Sequence, residues 1–301
     1  MAFESKYIWM DGDFVAWEDA KVHVLSHAFH YGSGVFEGTR FYDTPKGSAI
    51  FRLADHTKRL FYSASTLNLP IGFSEDEVNV ATKETVAKNE LVSGYIRPLA
   101  FFGEGKMGLR PEGAVPHLII ACWPWGKYLA DGAIKVKISK YIRVHPKSLV
   151  TDAKVCGHYI NSILAVQEVV PQGYDEALLL DYEGNIAEGP GENLFLVKDG
   201  KLHTPQLGTI LAGITRNSVI EIAADMGIET VERTITPEEL WQADEAFYTG
   251  TAAEVTPIGS VDDRDIGNGD EGPLTQRLRE AYLQIVQGKN PKYERWLEYV
   301  N

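Results

Sequence analysis

Cysteine is scarce. Cys122 and Cys156 are the only two in 301 residues, and no CxxC pair occurs. That excludes a disulfide framework and argues against a cysteine-built zinc site, so no metal is expected. Two buried free thiols are the expected arrangement. Basic residues are also in deficit, with 29 Lys and Arg against 42 Asp and Glu and a net charge of -13. A chain of that sign repels a phosphate backbone, so no nucleic-acid partner is expected. No apolar run reaches the roughly 18 residues of a membrane helix. The segment from Met1 to Asp11 carries Glu4 and Lys6 and has no apolar stretch of secretion-signal length. A cytoplasmic protein without a membrane partner is expected.

What is present is ordinary for a folded globular chain: 44% hydrophobic and 24% charged residues. The length accommodates two cores. Tyr7 to Met10 and Phe14 to Trp17 flank Asp11-Gly12, a hairpin signal. A second hairpin is predicted where Phe36 to Tyr42 and Ser48 to Leu53 flank Thr44 to Gly47. Asp55 can cap a helix to about Leu67, and Ser74 with Glu77 has capping-box spacing ahead of a helix to about Asn89. Tyr95 to Phe102 and His117 to Trp123 read as strands. The turn-rich aromatic stretch from Trp123 to Tyr128 suggests a linker over 123–132, between a domain at 1–122 and another at 133–301. In the second half, strands are expected at Ile134 to Ser139 and Glu176 to Asp181, with a hairpin across Asp199-Gly200. Helices are expected at Ser162 to Val170, Arg216 to Met226, Pro237 onward with Thr236 as cap, and Pro273 to Gln287.

Four segments carry candidate chemistry. Lys154 lies in Ala153-Lys154-Val155-Cys156-Gly157, among small and apolar neighbours. Desolvating an amine there favours its neutral, nucleophilic form, while a strand-end surface lysine is the plainer alternative. Glu188 and Glu192 flank Gly189-Pro190-Gly191, either a shaped acidic site or a hairpin with solvated acids. Leu211 to Arg216 precede a helical pattern, with Thr215 as candidate cap and Gly213 allowing close backbone approach at a helix N-terminus suited to anions. Thr249-Gly250-Thr251-Ala252 offers small residues and hydroxyls that can cradle a phosphate or carboxylate, or form a simple strand-to-loop turn.

Their order and spacing resemble a known signature. Glu188, Asn193-Leu194-Phe195, Leu202-His203-Thr204 and Leu211-Ala212-Gly213-Ile214-Thr215-Arg216 resemble the class IV aminotransferases, pyridoxal-phosphate enzymes of fold type IV. His30-Tyr31-Gly32, Val35 to Arg40, Tyr95 to Pro98 and Gly250 to Glu254 are similar to the branched-chain subfamily. Pro190 stands where a small residue is usual, and Ala212 where proline is usual.

The resemblance implies a two-domain α/β (α+β) fold, a smaller N-terminal α/β domain and a larger C-terminal one with an antiparallel-rich, barrel-like sheet. It implies pyridoxal 5'-phosphate as cofactor, with Lys154 as the lysine bound to it and as the catalytic proton carrier. Glu188 would pair with the pyridine nitrogen and Tyr159 with the cofactor O3′. Arg59 would hold the phosphate, with Ile214, Thr215, Thr251 and the backbone at Gly213 and Gly250, while Leu211 packs on the ring. Phe36, Gly38, Trp125 and Tyr159 would form an apolar side-chain pocket. Tyr95 and Thr251-Ala252 would take the α-carboxylate, and Arg97 the second carboxylate of glutamate or 2-oxoglutarate. Tyr31 would come from a second subunit of a homodimer or larger assembly. The implied reaction is ping-pong transfer from leucine, isoleucine or valine to 2-oxoglutarate. A class IV transaminase for D-amino acids or primary amines, and an aminodeoxychorismate lyase-like enzyme, are the alternatives.

Overall fold

The computed structural model describes residues 5–126, 129 and 132–301. Residues 127, 128, 130 and 131 of the expected linker lie outside the described residues. The chain forms two compact units that are not continuous in sequence. The first comprises 1–126, 153–157 and 284–301, and the second 127–152 and 158–283.

In the first unit, β1 (Tyr7–Met10) and β2 (Asp13–Ala16) form the expected hairpin. Its turn residues Asp11 and Gly12 have φ of 51° and 109°, the left-handed conformation such a tight turn requires. Then come α1 (His27–Tyr31), β3 (Gly34–Phe36), β4 (Thr39–Tyr42), β5 (Ala49–Phe51), α2 (Leu53–Thr66), α3 (Glu75–Lys88), β6 (Gly94–Phe102) and β7 (Pro116–Trp123). The capping box predicted for α3 is present, with Ser74 and Glu77 bonding each other's backbone N–H. A final strand, Leu297–Tyr299, pairs with β5 and closes the sheet's edge.

Two expectations change here. The stretch Phe36 to Tyr42 is not one strand. β3 pairs with β6 at Leu99 to Phe101, and β4 pairs with it at Gly94 to Ile96. Pro98 lies between these pairings. Its carbonyl accepts from Glu37 N–H (2.9 Å), so the side on which proline has no N–H faces the break. The ladder is interrupted there, and Glu37 and Gly38 leave the strand path. Asp55 is also not a cap. α2 starts at Leu53 after Arg52 with φ of 53°, and Asp55 sits in the first turn, paired with Arg52 at 2.5 Å. A carboxylate there favours the helix dipole without capping it. Leu60 of α2, Val86 of α3, Ile96 of β6 and Ile120 of β7 share one buried core.

The second unit is built on a nine-stranded, mostly antiparallel sheet among the described residues. Its elements are β8 (Ile134–Ile138), α4 (Tyr159–Val169), β9 (Glu176–Leu180), β10 (Ile186–Glu188), β11 (Asn193–Lys198), β12 (Lys201–Pro205), α5 (Ile214–Asp225), β13 (Thr230–Arg233), α6 (Pro237–Trp241), β14 (Glu245–Gly250), β15 (Glu254–Val261), β16 (Arg264–Asp265) and most of α7 (Pro273–Val286), whose residues from 284 on are counted with the first unit; the strand Leu297–Tyr299 is then β17. β8 pairs parallel with both β9 and β15, and β12 parallel with β13; the other pairings are antiparallel. The Asp199-Gly200 hairpin joins β11 and β12, and α6 carries the capping box of Thr236 and Glu239. Ile134, Leu178, Leu194, Tyr248 and Ile258 form its core. Among the described residues no helix is long and apolar enough to cross a membrane, and no group of three His, Cys, Asp or Glu could hold a metal.

Candidate active site

Lys154 lies on the short stretch 153–157 that belongs to the first unit. Its N–H donates to Ser63 Oγ on α2 (2.9 Å), and its carbonyl accepts from Phe36 N–H (3.1 Å). Val155 bridges to Val35, and Gly157 N–H donates to the Gly32 carbonyl at 3.2 Å. The lysine backbone is therefore fixed on both sides, and Nζ sits 5.0 Å from the centroid of the Phe36 ring.

The Glu37–Gly38 break supplies the next layer. Glu37 is fully buried. Its carboxylate accepts from Arg59 Nε (2.6 Å) and Nη2 (3.0 Å), and lies 2.7 Å from His56 Nδ1. Arg59 and His56 both stand on α2, three residues apart and hence on one helix face. Burial opposes the Glu37 charge, but the charges and hydrogen bonds of Arg59 and His56 outweigh it and hold the carboxyl well below the usual carboxylate range. Burial pushes the His56 imidazole down, although Glu37 pulls the other way. Gly38 is required by its neighbour, since a Cβ there would lie 1.7 Å from Tyr95 Oη.

Tyr95 packs 4.9 Å from the Trp125 ring and 5.4 Å from Trp123. The Arg97 guanidinium lies 4.5 Å from the Phe36 ring centroid and donates to Tyr95 Oη at 3.4 Å. Arg97 Nε is buried with no hydrogen-bond partner among the described residues. Arg40 donates to the carbonyls of Trp125 and Gly126, both 3.3 Å, and so fixes the chain end carrying Trp125. The first unit thus gathers Lys154, Phe36, Gly38, Tyr95, Arg97 and Trp125 around one aromatic patch. Tyr31 is not among them: it is 44% exposed, with its ring against His27 and His30.

In the second unit Glu188 ends β10 and is buried, as is Glu192, so neither is a solvated hairpin acid. One Glu188 oxygen accepts from Arg143 Nε at 2.5 Å. The other accepts from Asn193 Nδ2 and from the Leu211 N–H, both 3.0 Å. Asn193 stands opposite Glu188 in the ladder, and Nδ2 also donates to the Leu211 carbonyl at 2.9 Å. Pro190 is accommodated: the flanking Gly189 and Gly191 N–H groups donate to Glu192, and the Pro190 carbonyl accepts from Ser162 Oγ at 2.7 Å. Sequence reasoning missed Arg143, 45 residues away from Glu188, because nothing local marks it.

Gly213, not Thr215, is the N-cap residue of α5; Thr215 lies inside the first turn, buried with Ile214. A Cβ on Gly213 would come within 1.9 Å of Asn193 Oδ1, so glycine is needed for this loop to pass Asn193. With no side chain at the cap, the first-turn N–H groups of α5 have no side-chain acceptor from that position. Gly250 ends β14, and Thr251 and Ala252 form the turn to β15. Thr249 Oγ1, on β14 opposite Asn193, is buried with no hydrogen-bond partner among the described residues. Tyr159 opens α4. A fixed carboxylate that can accept from a ring N–H, a helix N-terminus with no side-chain cap and an unsatisfied buried hydroxyl form a set of groups that fits a phosphorylated pyridine cofactor. Arg216, the last residue of the signature, is structural: buried, it pairs with Glu232 at 2.6 Å and ties α5 to β12 through the Pro205 carbonyl.

Residues 34–261 match the family model described as amino-transferase class IV. A branched-chain-amino-acid aminotransferase from Pseudomonas aeruginosa is 52% identical over 300 residues, 98% of each chain. A crystal structure of the T.th. branched-chain amino acid aminotransferase with pyridoxamine 5'-phosphate superposes with a TM-score of 0.97 at 48% identity, covering all of both chains. The same enzyme complexed with N-(5'-phosphopyridoxyl)-L-glutamate gives 0.96 at 49% identity, again over both whole chains. With most of its length inside the family model and a relative alike from end to end, the chain belongs to the class IV aminotransferases.

Proposed function

We propose that this chain is a pyridoxal-phosphate-dependent transaminase that moves the amino group of L-leucine, L-isoleucine or L-valine to 2-oxoglutarate by a ping-pong mechanism. The observation that carries the reading is the Glu188 carboxylate, buried and held by Arg143, Asn193 and the Leu211 N–H, in a chain whose relatives bear the branched-chain name. The cofactor, when bound, supplies a ring that accepts electrons from the carbon losing its proton.

The rest is done by the chain. Lys154 Nζ would hold the cofactor, and its amine would carry the proton removed from the substrate Cα. Glu188 keeps the ring nitrogen protonated. Arg59, the first turn of α5 at Ile214 and Thr215, and the Gly250-Thr251 turn bind the phosphate. Tyr159 bonds the cofactor oxygen and Leu211 covers the ring. Phe36, Trp125 and Tyr159 receive a branched aliphatic side chain. Tyr95 and Thr251-Ala252 orient the α-carboxylate. Arg97, with an unsatisfied buried Nε, takes the distal carboxylate of 2-oxoglutarate, which lets one site accept both partners.

The working form is a homodimer or larger assembly in the cytoplasm, with Tyr31 serving a partner's site. The exposed apolar side chains Phe29 (64%) and Leu109 (89%) support a partner copy. The test is a substrate panel on the yellow holoprotein. L-leucine with 2-oxoglutarate should turn over, and D-alanine and a chiral aryl amine should be far slower. Activity confined to the latter two would replace the branched-chain reading.

A further inference from the structure

We propose that Arg143 is a positioning residue for Glu188: it sets the carboxylate's orientation and charge, so that the proton shared with the cofactor rests on the ring nitrogen. This rests on the function proposed above.

Arg143 lies in the loop after β8, and its N–H donates to the Leu180 carbonyl at 2.7 Å, which anchors the backbone to β9. The side chain is 11% exposed and the Glu188 side chain 6%. Nε donates to one Glu188 oxygen at 2.5 Å, the oxygen that Asn193 and Leu211 leave alone. Nη2 donates to the Thr151 carbonyl at 3.3 Å, and Thr151 Oγ1 donates in turn to the Gly208 carbonyl at 2.8 Å. One guanidinium therefore binds Glu188 and the peptide three residues before Lys154.

The donors Asn193, Leu211 and Arg143 are not equivalent in their action on Glu188. Asn193 and the Leu211 N–H are neutral and fix orientation. Arg143 adds a full positive charge in a water-poor setting, where a charge-assisted hydrogen bond is strongest. A cation against a carboxylate favours its ionised form. An ionised Glu188 can only accept, so a proton between it and a pyridine nitrogen stays on the nitrogen. Without that cation, the proton shifts toward the carboxylate and the ring withdraws electrons less well.

The experiment reads the nitrogen directly. Wild type, Arg143→Met and Arg143→Lys are loaded with cofactor labelled with 15N in the ring, and the 15N chemical shift is followed from pH 6 to 9. Wild type is expected to stay protonated across the range. Arg143→Met should move toward the unprotonated shift, with kcat for L-leucine down about tenfold or more and KM changed little. Arg143→Lys, which keeps the charge and loses the planar fork, should keep the protonated shift. If Arg143→Met folds poorly, Arg143→Gln is read in the same way. A protonated shift and unchanged kcat in the neutral variants would overturn the inference, as would a deprotonated Arg143→Lys. Should wild type itself bind no cofactor, the functional reading fails instead.

Discussion

Replacing Glu37 by glutamine tests the buried cluster that aims Arg59. Wild-type Glu37 is fully buried and makes close contacts to Arg59 at 2.6 and 3.0 Å and to His56 at 2.7 Å. Glutamine keeps the shape but removes the charge, and turns an NH2 toward a guanidinium or an imidazole. Breaking a buried pair by neutralising one partner costs about 3–5 kcal/mol. The amide oxygen retains one hydrogen bond, so the lower end, about 3 kcal/mol, applies. At ~2–4 °C per kcal/mol this lowers the melting temperature by about 6–12 °C. Differential scanning calorimetry on the holoprotein at pH 7.5 reads it. Equilibrium titration of apoprotein with pyridoxal phosphate should also show weaker binding, because Arg59 loses its fixed orientation. With Arg59→Gln as background, Glu37→Gln should add little to that loss of affinity. A melting temperature within 1 °C of wild type and unaltered cofactor affinity would refute the cluster's role.

The same cluster makes the protein acid-sensitive. Both Glu37 and His56 are held below their ordinary values in the folded state, so each contributes stability at neutral pH that is lost on acidification. His56 acts first, below about pH 6.5, and Glu37 below about pH 4. Urea midpoints should fall between pH 7 and 5, and the gap between wild type and Glu37→Gln should close in the more acid range; a flat wild-type profile would contradict both. Gly38→Ala places a methyl 1.7 Å from Tyr95 Oη, against a ring packed on Trp123 and Trp125. Its overpacking should cost about 1–3 kcal/mol and raise KM for L-leucine severalfold; unchanged kinetics would separate Tyr95 from substrate binding. Burial pushes the Cys122 thiol up to about 12 and the Cys156 thiol up to about 11. Only Cys122 is buried, whereas Cys156, expected to be buried too, is half-buried; iodoacetamide at pH 8 should still label both only slowly by mass spectrometry, and rapid labelling of either in the native protein would refute the raised thiol values.

Features written in neighbouring residues were legible in the sequence. Ser74 with Glu77, Thr236 with Glu239, Asp11-Gly12 and Asp199-Gly200 each specify their structure within four residues. The signature from Glu188 to Arg216 was legible for the same reason, since its spacing is fixed along the chain, and it falls inside the stretch matched by the family model. Features set by distant partners were not legible. The break at Glu37 depends on Pro98, which faces it from another strand. The start of α2 depends on the left-handed Arg52, whose N–H donates to the Trp296 carbonyl at 2.7 Å. Arg143 lies in a loop with no motif, and only the packed sheet brings it to Glu188. Thr215 resembled a cap because threonine commonly is one, but Asn193 leaves room only for glycine two residues earlier.

One amine, Lys154 Nζ, has to hold the cofactor. Borohydride added to the yellow holoprotein, followed by proteolysis and mass spectrometry, should place one reduced pyridoxyl group on the peptide containing Lys154, with loss of activity in proportion. A pyridoxyl group on any other lysine, or full activity in a Lys154→Ala protein, would contradict it.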